Sequence, residues 1–288
     1  MPRNGVPVRR HGMIMQDEAP GSSLAGSRCM RYRHRPWVAP SLALMLGLLA
    51  TAGARAVPPR ALRHADFAHY TFALTWQPGF CGTDGGCRRD QPRDVLIGLH
   101  GLWASRPRSL IDQGISAPRW WQRGCDFYHH SARAPRLSPT TLWRLQRVMP
   151  HLRDDLLRHE YDKHVQCFGF DPQTFFDTEL LMRQQIVDSA FGRYLTATAR
   201  GHVVRHTDVN DAFVHAVGTD QTAALQLRCE RNGRGEVVLT QLWITLHTDA
   251  ISRFPRDGAL MNAPIAQDNC PARFRVPDWQ QAQATFRN

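Results

Sequence analysis

Six cysteines spread between residues 81 and 270 constrain the fold of this chain more than any other feature of its sequence. An even number of cysteines in an exported protein indicates disulfides, so we expect three bridges. The alternative is a zinc site, which would need paired CxxC knuckles, and the sequence contains none. The sequence alone permits about fifteen pairings among Cys81, Cys87, Cys125, Cys167, Cys229 and Cys270.

Export is indicated by the segment that precedes these cysteines. A basic stretch with arginines at positions 31, 33 and 35 leads into the apolar run VAPSLALMLGLLATAG, which ends at Ala54-Arg55-Ala56. A basic start, a short apolar run and an A-x-A end are typical of a secretory signal peptide. The run is short for a transmembrane helix. We therefore predict a signal peptide over residues 30–56, with an uncleaved anchor as the alternative.

Removal of this peptide would leave residues 57–288, a length that suits a single domain. Residues 1–29 carry no periodic pattern, and if Met30 is the true start they are a non-native or disordered extension. Residues 1–56 hold 8 of the 36 basic and 2 of the 25 acidic residues, which leaves 28 against 23, or +5. That excess is compatible with a polyanionic substrate but also with many soluble proteins, so it excludes no function class.

Local patterns predict early strands, central helices and a late hairpin. Strands are predicted at 69–76 and 94–103, separated by a loop, and an irregular region follows to about residue 137. Capping and breaker residues predict helices that begin after Ser138, at 151 (to 164), after Asp171 (to about 190) and after Thr207, the expected cap of the last one. The turn residues at 232–235 predict a hairpin. This order indicates an α+β fold in which an antiparallel sheet packs against several helices.

The segment HEYDKH, residues 159–164, concentrates four ionisable side chains besides Asp162. A zinc-protease helix places two histidines four residues apart, whereas His159 and His164 are five apart, which on an α-helix separates them by about 140°. The pairs at the i,i+4 spacing are His159 with Lys163 and Glu160 with His164. The spacing therefore predicts that this segment does not hold a metal ion.

A second polar cluster is HGLW, residues 100–103, at the end of a predicted strand. Strand alternation predicts that His100 shares a face with Leu96 and Gly98. Of the 36 basic residues, Lys163 is the single lysine, which leaves 35 arginines. A compact ammonium and a planar guanidinium are not interchangeable, so its position within the ionic cluster points to a specific use.

Histidines, a lysine and a glutamate suit phosphoryl transfer without a metal ion. RNA supplies its own nucleophile, the 2′-hydroxyl, next to the phosphorus that it attacks. The protein then needs a base for the 2′-proton, an acid for the departing 5′-oxygen and positive charge for the phosphorane. For Trp120 and Trp121, nearby in the chain, we expect core packing rather than base stacking.

The sequence resembles the ribonuclease T2 family, and within it the bacterial ribonuclease I type. The resemblance rests on FALTWQPGFC (72–81), LHGLW (99–103) and HEYDKHVQCFGFDP (159–172), and more weakly on the chain to about residue 275. It implies a ribonuclease T2-like, disulfide-linked α+β fold with Cys125–Cys167, Cys229–Cys270 and Cys81–Cys87 bridges. The sequence departs from the family at Tyr161, often tryptophan, and at Val165-Gln166, where a small pair is usual; bulk there is expected to tilt the helix end or narrow the site.

The resemblance also implies a role for each residue of the two clusters. His100 would be the general acid and His164 the general base, oriented by Glu160. Lys163 and Glu160 would stabilise the phosphorane. His159 would bind the phosphate. Trp103 would be the aromatic residue that helps to pack the site and hold a nucleobase.

The implied activity is a metal-independent endoribonuclease of broad base preference that forms 2′,3′-cyclic phosphates and then 3′-phosphates. No cofactor is implied, the partner is RNA and not DNA, and we expect a periplasmic or secreted monomer without a membrane anchor. Two alternatives stay open: a secreted, non-catalytic RNA-binding or toxin-like module in which Val165-Gln166 blocks turnover, and a metalloprotease. Zinc that co-purifies stoichiometrically would favour the second.

Overall fold

The computed structural model describes residues 57–83, 86–131, 133–256 and 258–283. The predicted signal peptide at 30–56 and the predicted extension at 1–29 lie outside the described residues. Across the described ranges, no helix is both long enough and apolar enough to cross a membrane.

A mixed sheet forms the centre of the described part of the chain. Its strands are β1 His69–Trp76, β2 Ile97–Ala104, β3 Val203–Arg205, β4 Leu225–Arg231, β5 Val237–His247 and β6 Arg273–Arg275. β1 lies between β2 and β5, and β4 pairs with β5; all of these pairs are antiparallel. β6 joins β5 in parallel at Val238 and pairs antiparallel with β3. The predicted α+β class is confirmed, and the parallel β5–β6 pair is a feature that the sequence did not indicate.

Short helices and one long helix cover the sheet. Those within the described ranges are α1 Gln77–Gly82, α2 Arg108–Asp112, α3 Ala117–Arg123, α4 Pro139–Val148, α5 Leu156–Glu160, α6 Pro172–Asp188, α7 Ala190–Arg193, α8 His206–Val217 and α9 Trp279–Gln283. α4 and α6 begin where their caps predict, because the side chains of Ser138 and Asp171 accept hydrogen bonds from backbone N–H groups three residues later.

Several predicted boundaries were wrong. The loop after β1 and the region before residue 137 contain α1, α2 and α3. β2 begins at Ile97 rather than 94, because the Val95 N–H donates to the Pro92 carbonyl in a turn (3.1 Å). α5 begins only after Asp155, whose carboxylate accepts from a backbone N–H in the helix. Thr207 does not cap α8, because pairing with β6 keeps the chain extended up to the residue before His206.

The core lies between the sheet and α6. Tyr70 and Phe72 of β1 and Phe175 of α6 are at most 2% exposed, and burial of such a side chain contributes about 1.5–3 kcal/mol. α6 is also tied to β2, because the guanidinium of Arg183 donates to the Ile97 carbonyl through Nε (2.9 Å) and Nη2 (2.7 Å). This contact fixes the start of the strand that carries the HGLW segment.

Three disulfides lie within the described part of the chain, as the cysteine count predicted, and two of them join cysteines 42 and 41 residues apart. The pairs are those that the resemblance implied, namely Cys81–Cys87, Cys125–Cys167 and Cys229–Cys270. The second bridge joins the turn after α3 to the segment after α5, and the Cys167 N–H also donates to the sulfur of Cys125 (3.3 Å). It therefore ties the chain just after the HEYDKH segment to the turn after α3.

Candidate active site

A β-bulge in β2 sets the direction of His100. Ala73 of β1 lies opposite Gly101 and Leu74 lies opposite Leu99, so His100 is an extra residue with no partner in the register. In an uninterrupted strand His100 and Trp103, three residues apart, would face opposite sides. The bulge re-aims the strand, and the two rings lie 5.4 Å apart between centroids.

A π-helical turn continues α5 and changes the geometry of the HEYDKH segment. Residues 161–165 form this turn, and its wider i→i+5 hydrogen bonding brings residues five apart onto one side. The ring centroids of His159 and His164 are 6.3 Å apart. The prediction from α-helical spacing that these histidines face apart was therefore wrong.

The same turn gathers three groups that could ligate a metal ion. One nitrogen each of His159 and His164 and one carboxylate oxygen of Glu160 lie within 4.8 Å of one another. Two imidazoles and a carboxylate are a ligand set that catalytic zinc sites use. The spacing argument against a metal ion consequently does not hold for this segment.

The Glu160 carboxylate joins the bulge to the turn. Its Oε2 accepts a hydrogen bond from the Trp103 indole N–H (2.6 Å), and its Oε1 lies 3.4 Å from His100 Nε2. Gly101 leaves room for this approach, because a Cβ there would lie 2.9 Å from the carboxyl carbon. Burial raises the pKa of Glu160, but the charge of His164 and the interactions with His100 and Trp103 together lower it to about 2.

The environment of His164 favours its neutral form. Burial lowers its pKa, the Glu160 carboxylate opposes that effect, and the positive charge of Lys163 together with the imidazoles of His159 and His100 adds to it. The resulting pKa is about 4. At neutral pH this imidazole therefore has a free nitrogen lone pair and can accept a proton.

These side chains line one end of a cavity of about 670 Å³. The predicted site residues His100, Trp103, His159, Glu160, Lys163 and His164 all contribute to it, so the structure brings the two sequence clusters together. The ring of Trp103 lies 5.4 Å from that of His164 as well as from that of His100. Neither Val165 nor Gln166 lines the cavity; the Gln166 side chain bonds Ser131 and Asp162 instead.

Two tryptophans of the cavity were missed from the sequence. Trp120 packs on Phe168 and is 4% exposed, as core packing predicts, but Trp121 is 41% exposed and lines the cavity. Successive helical residues point about 100° apart, so the sequence already indicated that only one of these two tryptophans would face the core. Trp243 of β5 lies 5.3 Å from Trp103 between ring centroids, and nothing in the apolar strand VVLTQLWITLH distinguished it from a core residue.

Comparison with known proteins identifies relatives over most of the chain. The model of the ribonuclease T2 family matches residues 67–255. Ribonuclease I of Escherichia coli (strain K12) is 32% identical over 234 residues, which cover 73% of this chain and 86% of that protein.

Solved structures of similar fold are more distant in sequence. The S3-RNase of Japanese pear superimposes with a TM-score of 0.53 at 14% identity, over 73% of this chain and 99% of that chain. RNase NT, solved in complex with 5′-AMP, gives a TM-score of 0.51 at 16% identity, over 74% of this chain and 98% of that chain. These two likenesses concern the fold alone.

Proposed function

Because the chain belongs to the ribonuclease T2 family, as a ribonuclease of the bacterial ribonuclease I type, we propose that it cleaves RNA through the 2′-hydroxyl without a metal ion. His164 removes the 2′-proton as the 2′-oxygen bonds to phosphorus, and His100 protonates the 5′-oxygen as its bond to phosphorus breaks. Lys163 and Glu160 stabilise the phosphorane, and His159 binds the phosphate.

The product of this step is a 2′,3′-cyclic phosphate. In the second step the two imidazoles exchange roles: His100 takes a proton from water, and His164 returns one to the 2′-oxygen as the cyclic ester opens to a 3′-phosphate. Both imidazoles therefore return to their starting protonation states over one turnover, and no reagent other than water is needed.

The observation that carries this proposal is the convergence of two imidazoles from distant segments on one carboxylate. His100 lies 3.4 Å from Glu160, and among the groups that lower the pKa of this carboxyl His164 has the largest effect. A base that is neutral and an acid held against a carboxylate are the pair that transesterification requires. Both point into a cavity large enough for a nucleotide.

The organisation of the chain and its partners form part of the proposal. Residues 57–288 would act as one exported catalytic domain and as a monomer, in the periplasm or outside the cell, after removal of residues 30–56. RNA is the substrate. In keeping with this, RNase NT, which has a similar fold, was solved in complex with 5′-AMP. DNA lacks the 2′-hydroxyl and is not cleaved, and stacking contacts in the cavity give a broad base preference.

The direct test is incubation of purified residues 57–288 with a dinucleoside phosphate in EDTA, with identification of the product by mass. We expect a cyclic phosphate and then a 3′-phosphate, and no cleavage of the deoxy analogue. His100→Ala and His164→Ala should each lower kcat/KM at least about 10²-fold, whereas His215→Ala, an exposed histidine of α8, should not change it. Binding of RNA without cleavage would favour the non-catalytic module instead.

The gathered His159, Glu160 and His164 favour one second candidate, a metal-dependent hydrolase. Elemental analysis of the purified protein and assays before and after EDTA separate it from our proposal. Stoichiometric zinc together with activity that EDTA abolishes and zinc restores would overturn metal independence.

A further inference from the structure

Gly124 lies outside both motifs, yet it makes one of the closest backbone approaches to the candidate active site. It follows α3 with φ 50° and ψ −127°, a conformation that side chains other than hydrogen disfavour. A Cβ built on Gly124 would lie 2.7 Å from Cγ of Lys163 and closer still to the Lys163 carbonyl oxygen. Only glycine at this position lets the turn after α3 lie against the lysine.

Neighbouring contacts hold this approach in place. The N–H of Gly124 donates to the Trp120 carbonyl at the end of α3. The next residue, Cys125, forms the disulfide with Cys167, four residues after Lys163. The turn after α3 and the π-helical turn are thus covalently joined at a point next to the Gly124–Lys163 contact.

Confinement matters for this particular side chain. A lysine ammonium is a compact charge on a flexible four-carbon stem, so its position is defined only where the stem is held. Lys163 is half-buried and lies on the wall shared by the catalytic cavity and a second groove that contains Asp126 and Asp162. A stem free to swing could place the ammonium beside these carboxylates and away from the phosphate.

We propose that Gly124 is a positioning residue, which acts on catalysis through the Lys163 stem. The turn at Gly124 closes one side of the stem and directs the ammonium into the catalytic cavity. This inference rests on the proposed function, in which Lys163 stabilises the phosphorane. It adds that the lysine owes its position to a residue 39 places earlier in the chain, outside the HEYDKH segment.

A double-mutant cycle tests this role. Gly124→Ala should lower kcat/KM for a dinucleoside phosphate by about 10²-fold, the usual effect of misplacing a catalytic group by about 1 Å. In a Lys163→Ala background the same substitution should lower it by no more than about twofold, because the ammonium that it displaces is already gone. Gly114→Ala is the matched control: this glycine also has a positive φ, of 74°, but a Cβ there has no atom within 4 Å.

The single lysine of the chain gives a second, activity-independent readout. Protein labelled with ¹³C-lysine shows one lysine spin system, that of Lys163. Its side-chain resonances should shift in Gly124→Ala and stay in place in Gly114→Ala. In the wild-type protein a nuclear Overhauser effect should connect the Hγ protons of Lys163 to the Hα protons of Gly124, so the contact can be tested even if the Gly124 variant does not fold.

The outcomes separate this inference from the proposed function. Wild-type protein that does not cleave RNA overturns the proposed function, while the Overhauser contact still tests the geometry. Equal losses from Gly124→Ala in both backgrounds would show that the glycine supports the turn in general and would overturn its action through Lys163. Absence of the Overhauser contact would overturn the inference in any case.

Discussion

Replacement of Glu160 by glutamine removes one negative charge from the centre of the site and keeps its shape. The side chain is 2% exposed, its Oε2 accepts the Trp103 N–H, and its Oε1 faces His100. The amide oxygen of glutamine can still accept the indole N–H, so the tryptophan contact survives. What the substitution removes is the carboxylate charge that the surrounding imidazoles face.

The size of the effect follows from the pKa of Glu160. The surroundings lower it from 4.5 to about 2 in spite of burial. At about 1.4 kcal/mol for each pKa unit, they favour the carboxylate over the neutral acid by about 3 kcal/mol. The interaction is mutual, so an imidazole that becomes protonated in the transition state loses up to the same stabilisation when the charge of Glu160 is removed. If the transition state depends on that interaction, kcat/KM falls by about 10²-fold.

The assay is the initial rate of dinucleoside phosphate cleavage in EDTA, measured for wild type, Glu160→Gln and the control Glu179→Gln. Glu179 is a second buried glutamate, 1% exposed, but burial and the nearby Glu160 carboxylate raise its pKa well above the ordinary value. A raised pKa favours the neutral acid, so replacement of Glu179 by a neutral isostere should change kcat/KM by less than about threefold. Thermal unfolding of each variant shows whether the fold is intact.

Two results would refute this reasoning. Activity of Glu160→Gln close to that of wild type would mean that the charge plays no part in the reaction. Equal losses from Glu160→Gln and Glu179→Gln, at equal stability, would mean that the damage comes from the buried amide and not from the missing charge.

Three further outcomes are expected. The acid limb of the kcat/KM profile should lie near the pKa of His164, about 4, because the proposed base is lost as pH falls through that value. In Glu160→Gln the limb should move to lower pH, because the carboxylate that raises the pKa of His164 is gone. A wild-type limb near pH 6.5 would contradict the lowered pKa of His164. Trp121→Ala should raise KM for RNA about 10-fold through lost stacking, whereas Trp143→Ala, an exposed tryptophan outside the cavity, should leave it unchanged. Replacing Cys229 and Cys270 by alanine should lower the free energy of unfolding by about 4 kcal/mol, measured by urea denaturation, and a loss under about 1 kcal/mol would count against that loop-closure estimate.

The elements that sequence predicted well are those that local signals determine. β1 was predicted with its observed bounds, the hairpin turn lies between β4 and β5, and α4 and α6 begin after Ser138 and Asp171. In each case the signal lies within a few residues of the boundary: alternation, a turn sequence, or a cap followed by proline. The predicted start of α5 at residue 151 failed because the helix begins only at Leu156, after its cap Asp155.

The site itself depends on two irregularities that the sequence does not encode locally. The bulge at His100 exists only relative to the partner strand β1, and the π-helical turn at 161–165 ends two residues before Cys167, which a disulfide joins to Cys125. Periods of 2.0 and 3.6 residues assume regular elements, so they misplaced these residues relative to one another. The motifs located the site because they identify chemistry, whereas the contacts across the chain determine geometry.

The two irregularities are coupled through Glu160. Without the bulge, His100 and Trp103 would lie on opposite faces of β2, and only one of them could reach the carboxylate. Without the π-helical turn, His164 would point away from His159 and from the phosphate that His159 is proposed to bind. A buried carboxylate is tolerated only where it is paired or hydrogen-bonded, and the bulge supplies these contacts because it brings both His100 and Trp103 to Glu160. The arrangement that stabilises the Glu160 carboxylate in the folded protein is therefore the same arrangement that brings the proposed acid and base together.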